Sequence, residues 1–155
     1  MLRVTTPEDS EAILSLSVAA GLFGADETGA LRKVLADHWA GNINEGHEWR
    51  VYEEGGQLRG VVYWAPAQMS DGAWHVLMLA VRPDCQGQGL GSALMQHAEA
   101  ALRASGQRLL LVEMSGLPSY ERQRKFYAKI GYGREAVIRD FYASGEDKVV
   151  FRKAL

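Results

Sequence analysis

Cysteine occurs once in the 155 residues, at Cys85. No internal disulfide can form, and the chain reads as a protein of a reducing compartment, the cytoplasm by default. Net charge is slight as well. Seventeen lysines and arginines against nineteen aspartates and glutamates leave a formal −2, which argues against neutralisation of many nucleic-acid phosphates. No run approaches the roughly 18 consecutive apolar residues that would span a membrane, and Met1 to Glu8 lacks the apolar stretch of a signal peptide. Neither a nucleic-acid nor a membrane partner is expected, and no metal site. Repeats, low-complexity tracts and linkers are absent too. With 47% hydrophobic and 23% charged residues, the composition suits one globular domain over residues 1–155.

What is present reads as alternating helices and strands. Leu2 to Thr5 forms a short strand; Thr6-Pro7-Glu8-Asp9 then offers an N-cap, a proline at the first helical position and acids for the helix dipole. Ile13, Leu14 and Leu16 to Val18 give that helix its apolar face, with Gly21 as its stop. A second helix follows Asp26 and ends near Gly41, burying Leu31, Val34, Leu35 and His38 or Trp39. Trp49 to Tyr52 and Leu58 to Trp64 read as a hairpin around the glycines of Glu53 to Gln57. Ala73 to Val81 is apolar on both faces, the pattern of a central strand covered on each side. A helix from Gly89 to Ser105, a strand from Arg108 to Met114 and a helix from Tyr120 to Ile130 follow. Arg134 to Phe141 and Lys148 to Lys153 close the chain as a strand pair around Ala143 to Asp147. This order predicts an α/β (α+β) fold, a mixed sheet with helices on both faces.

The turn Gln86-Gly87-Gln88-Gly89-Leu90-Gly91 joins the central strand to a helix and admits three phosphate-binding readings. A nucleoside-triphosphate loop fails because the required lysine is missing. A dinucleotide fingerprint puts Ser92 at its third glycine, and too few strand-helix units follow for the full domain, although Glu113 lies at a tolerable distance. The third pattern, [QR]-x-x-G-x-[GA], is met by Gln86, Gly89 and Gly91. Glycines let backbone N–H groups approach a pyrophosphate, and the helix N-terminus adds unsatisfied donors and the positive dipole end.

Leu77 to Leu94, with this turn at its centre, resembles the acetyl-coenzyme A motif of the GCN5-related N-acetyltransferase (GNAT) superfamily, and the resemblance runs over nearly the whole chain. It implies a mostly antiparallel central sheet with a splayed central strand. It further implies acetyl-coenzyme A as cosubstrate, paired through the backbone at Leu79 and Val81 and held at its pyrophosphate by Gln86, Gly87, Gln88, Gly89, Leu90, Gly91 and Ser92. The Val81 N–H would polarise the thioester carbonyl.

Acetyl transfer to an amine needs a neutral nucleophile, stabilised charge on the carbonyl oxygen and a proton for the departing thiolate. Arg124 to Tyr132 resembles the family's "FYxKxGF" helix, which makes Tyr127 the acid and Phe126 a core residue. His75, eleven residues before Gln86, matches a position where several relatives carry a base, and histidine titrates nearest neutrality. A histidine satisfied by a neighbouring carbonyl is the bland alternative. Glu113, a carboxylate in the apolar run Leu109 to Met114, is the rival base or a structural hydrogen-bonding group. Tyr120 departs from the asparagine that many relatives carry to hold the pantetheine. Cys85 beside the turn is taken as incidental. Arg122, Arg124, Lys125 and Lys129 read as a solvated helix face, with the coenzyme's 3′-phosphate as the alternative. Asp140 to Asp147 is similar to the "YYxxGED" segment of protein N-terminal acetyltransferases, which places Phe141 and Tyr142 beside the acceptor. A small-molecule amine and a peptide N-terminus both stay open, as does a homodimer. The rival from another class is a noncatalytic acyl-coenzyme A sensor.

Overall fold

The computed structural model describes residues 1–155. Seven strands carry the sheet: β1 (Leu2–Val4), β2 (Glu48–Glu54), β3 (Gln57–Pro66), β4 (Ala73–Val81), β5 (Leu109–Ser115), β6 (Gly133–Ala143) and β7 (Glu146–Ala154). Four helices interrupt them: α1 (Ser10–Ala19), α2 (Gly29–Ala40), α3 (Leu90–Ala104) and α4 (Glu121–Lys129). Hydrogen-bonded neighbours follow the order β1-β2-β3-β4-β5-β7-β6. The pairs β1–β2, β2–β3, β5–β7 and β6–β7 are antiparallel and β4–β5 is parallel. The expected mixed, mostly antiparallel sheet is what forms.

The chain packs as two compact units, Met1–Ala65 with Met78–Ala98, and Pro66–Leu77 with Glu99–Leu155. In the first, α1 and α2 bury Ile13, Leu14, Leu16, Leu31 and Leu35 against Trp49, Val51, Val61, Tyr63 and Ala65. These strand residues alternate, so one face of the hairpin receives both helices. The other face of β3 meets α3. A Cβ on Gly60 would lie 2.8 Å from Leu94 Cδ1 and 3.3 Å from Leu90 Cδ2, so only a hydrogen lets the helix settle this close.

The first helix starts later than its sequence predicts. Thr6-Pro7-Glu8-Asp9 forms a 3₁₀ turn over Pro7–Asp9, and the α-helix begins at Ser10. Asp9 explains the turn: its Oδ2 accepts the Thr6 N–H at 2.8 Å, while Arg3 Nη1 and Nη2 donate to its two oxygens at 2.8 Å each. The Arg3 hydrogen bonds, ahead of the opposing effect of burial, hold the Asp9 carboxyl below the usual range.

In the second unit, Val76, Leu110, Val112, Met114, Tyr127, Tyr132, Val149 and Phe151 are buried. Glu99, also buried, accepts from the Tyr132 hydroxyl and from Lys153 Nζ, at 2.8 Å each. Lys153 donates further to the Ile130 carbonyl at 3.0 Å. One carboxylate thereby fastens the end of α4 and the last strand together.

Coverage of β4 differs from expectation. Val76, Met78 and Ala80 are buried, whereas on the opposite face His75, Leu79 and Val81 are half-buried and Leu77 is 55% exposed. Parallel pairing joins Ala73–Val76 to Leu109–Val112.

Candidate active site

The glycine turn belongs to the first unit. Gly87 and Gly89 stand at φ +75° and +85°, backbone that L side chains rarely adopt, and a Cβ at either would meet nothing within 4 Å. Conformation therefore demands these glycines, not crowding. Gln86 Nε2 donates to the Val81 carbonyl at 3.1 Å and Gln88 Nε2 to the Asp84 carbonyl at 3.3 Å, which tie the turn back to the end of β4. Ala93 N–H donates to Gly89 at 3.0 Å as the first closure of α3, so the N–H groups just ahead of it are those a helix leaves unsatisfied. Leu90, Gly91 and Ser92 form the first turn of that helix and are half-buried, as are Leu79 and Val81 on β4. Cys85 is buried, its sulfur accepting from Arg59 Nη1 at 3.4 Å.

The second unit gathers several of the residues singled out in the sequence. His75 is opposite Leu111 in the parallel ladder, and Glu113, two residues on, shares that face. His75 Nε2 lies 3.4 Å from Glu113 Oε1. The other carboxylate oxygen, Oε2, takes Lys148 Nζ at 2.7 Å, and the same ammonium sits 3.7 Å above the Phe141 ring. Lys148 is on this face because Glu113 pairs with Val150, and Lys148 precedes Val150 by two. Phe141 packs edge-on against Tyr142 at 5.0 Å. Burial first, and then the Glu113 charge, push the Tyr142 hydroxyl upward in pKa. The two rival bases and both tail aromatics thus meet in one cluster.

Lys148 was invisible as a member of that cluster. A lysine leading an apolar strand looks like a solvated end, and only the β5–β7 register brings it to Glu113. Arg124 also does something a solvated helix face does not: its Nη1 donates to the carbonyls of Ser115 at 2.9 Å and Leu117 at 2.8 Å. It holds the connection from β5 into α4, whereas Lys125 pairs with Glu121 along the helix at 3.3 Å.

Tyr127 lies on the opposite face of the β5–β7 ladder. It is buried among Phe126, Tyr132 and Phe151, with ring centroids at 5.0, 5.7 and 6.3 Å. Phe151 pairs with Val112, one residue out of phase with Glu113. Burial raises the Tyr127 hydroxyl well above the ordinary tyrosine range, so it keeps its proton at neutral pH.

The chain is similar in fold and sequence to known proteins. A GNAT-family protein from Desulfovibrio desulfuricans superposes with a TM-score of 0.93 at 28% identity, covering 99% of this chain and 98% of that one. A Salmonella typhimurium protein solved with its cofactor acetyl-CoA superposes at a TM-score of 0.80 and 20% identity, covering 100% and 93%. An uncharacterized N-acetyltransferase of Methanocaldococcus jannaschii is 29% identical over 96 residues, which span 60% of this chain and 59% of that relative. The family model described as an acetyltransferase (GNAT) domain matches residues 44–134, more than half of the sequence, and the chain belongs to the GNAT acetyltransferase family.

Proposed function

We propose that the protein transfers the acetyl group of acetyl-coenzyme A to a primary amine by direct attack on the bound thioester. The observation that carries this is the cluster of His75, Glu113 and Lys148. His75 on β4 and Glu113 on β5 share one face of their ladder, with Lys148 of β7 beside them. A strand-like pantetheine would pair with the β4 backbone at Leu79 and Val81. The turn Gln86 to Ser92 would hold the pyrophosphate with the donors ahead of α3. No lysine is needed for that task.

Protons then move on two faces. Lys148 occupies one Glu113 oxygen, which leaves the other to orient His75, and His75 takes the proton that the attacking amine loses. The amine nitrogen bonds to the thioester carbon, charge collects on the carbonyl oxygen beside the Val81 N–H, and the carbon–sulfur bond breaks. The thiolate receives the proton of Tyr127, which approaches from the opposite face and regains a proton from solvent. Phe141 and Tyr142 would border the amine's entrance, either for a small molecule or for a peptide N-terminus. Localisation in the cytoplasm fits this cosubstrate, and no helix is long and apolar enough to cross a membrane.

The experiment is turnover of acetyl-coenzyme A with a panel of small amines and short peptides. Tyr127→Phe should lower kcat by about 10²–10⁴-fold with coenzyme affinity retained. His75→Gln should abolish the acidic limb of the pH-rate profile. A protein that binds acetyl-coenzyme A but turns over nothing would be a sensor instead, and a fully active Tyr127→Phe would remove the acid.

A further inference from the structure

Two non-glycine residues stand at positive φ, Met69 at +60° and Asp140 at +56°. Met69 lies in an exposed turn between β3 and β4, whereas Asp140 lies inside β6. The ladder with β7 shows what this backbone does. Ile138 pairs with Lys148 and the next pair is Ala143 with Glu146, so five steps along β6 are matched by two along β7. The surplus is odd, and side chains alternate along a strand, so it exchanges the two faces of β6. Before the surplus, even-numbered residues such as Ile138 share the face of Lys148; after it, odd-numbered residues do. In an unbroken strand Phe141 would point away from Lys148. Instead the Lys148 ammonium sits 3.7 Å from the centre of its ring, on the face that carries Glu113 and His75.

Asp140 holds this conformation with its own groups. Its Oδ1 accepts the Gly145 N–H at 2.8 Å, and its N–H donates to Asp147 Oδ1 at 3.1 Å. A short polar side chain with local partners is what makes left-handed backbone tolerable outside glycine. A bulge that merely blunted the sheet edge would need neither an aromatic residue after it nor a cation against the ring.

We propose that Asp140 is a positioning residue for the acceptor: its left-handed backbone turns Phe141 onto the face of His75 and Glu113, where the ring meets the group next to the acceptor's amine. This rests on the acetyl-transfer reading. Phe141 is 51% exposed, so ring surface stays free after Lys148 takes its share. That surface suits an amine flanked by an aromatic or aliphatic group, on a small molecule or at a peptide N-terminus.

The test compares the full-length wild type with Asp140→Asn, Asp140→Ala, Asp140→Val and Phe141→Leu, each checked for folding by circular dichroism. Asparagine tolerates left-handed backbone and keeps the oxygen that Gly145 needs; valine, branched at Cβ, does not enter that region. Ring-current shifts read the geometry without any turnover. The Lys148 ε-methylene protons should lie upfield in wild type and Asp140→Asn, and return to the ordinary lysine position in Asp140→Val and Phe141→Leu. Phenethylamine and alanyl-phenylalanine amide then read the function, and separate a small acceptor from a peptide one. For whichever is acetylated, Asp140→Val and Phe141→Leu should each raise KM by about tenfold with acetyl-coenzyme A affinity retained, while Asp140→Asn stays near wild type. Asp140→Ala loses the bond to Gly145 without a branched side chain, and should show both changes in smaller measure even where the valine variant fails to fold. An upfield shift that survives in the alanine and valine variants overturns the proposal. So does an acceptor KM that these variants leave unmoved while wild type turns over, and that result spares the acetyl-transfer reading. A wild type that acetylates no amine removes that reading and the acceptor role together.

Discussion

The Tyr132 hydroxyl donates to Glu99 Oε2 at 2.8 Å inside the second unit, with both residues only 3% exposed. Glu99 is a buried carboxylate that survives because Tyr132 and Lys153 each satisfy one oxygen. Tyr132→Phe keeps the ring and leaves Oε2 without its donor. The variant should lose about 1–3 kcal/mol in urea unfolding with an unchanged m-value. A loss well below this would mean that water or Arg103, 3.8 Å away at its nearest nitrogen, replaces the hydroxyl.

Gly89 offers a cleaner separation of binding from folding. A methyl group there meets nothing within 4 Å, so Gly89→Ala adds no clash and acts through its φ of +85°. Left-handed backbone costs a non-glycine residue about 1–2 kcal/mol, and the turn can escape that cost by changing shape. Acetyl-coenzyme A affinity should therefore fall by about tenfold in titration calorimetry, while the melting temperature moves little. Unchanged affinity in the folded variant would remove this turn from coenzyme binding.

Acid should weaken the first unit through His38. The imidazole is buried edge-on against Trp39 and Trp49, and burial, then the nearby His47, lower its pKa below that of a free histidine. The folded state thus favours neutral His38, whereas the unfolded chain takes up the proton near pH about 6.5. Stability from keeping it neutral is complete above that pH and is lost as pH falls toward the lower folded value. His97 is shifted the same way, by burial and then Arg50. The melting temperature of wild type relative to His38→Gln should therefore drop between about pH 7.5 and 5.5. A difference independent of pH would show that His38 titrates as it does in the unfolded chain.

Much of the architecture was legible because its signals are local. Glycine and proline punctuation located α3, α4 and the closing hairpin within a few residues, and the strand-turn-helix around Gly89 identified the family. The start of α1 was misplaced by three residues because Asp9, read as a dipole partner, folds back on Thr6 and Arg3. Coverage of β4 was misread for a longer-range reason. Apolar residues at Leu77, Leu79 and Val81 look like a buried face, and nothing in their own segment tells what packs over it. His75 and Glu113 each stood out as a polar residue in an apolar strand. That they meet, and meet Lys148, depends on two registers that no short window of sequence contains.

The hydrogen at Gly60 makes two positions, more than thirty residues apart, into a single unit of variation. A larger residue at 60 displaces the Leu94 side chain, so it is best accommodated where the side chain at 94 is shorter, and shortening 94 alone leaves a cavity under α3. In an alignment of relatives, these two columns should change together, and the bulk at one should predict the bulk at the other.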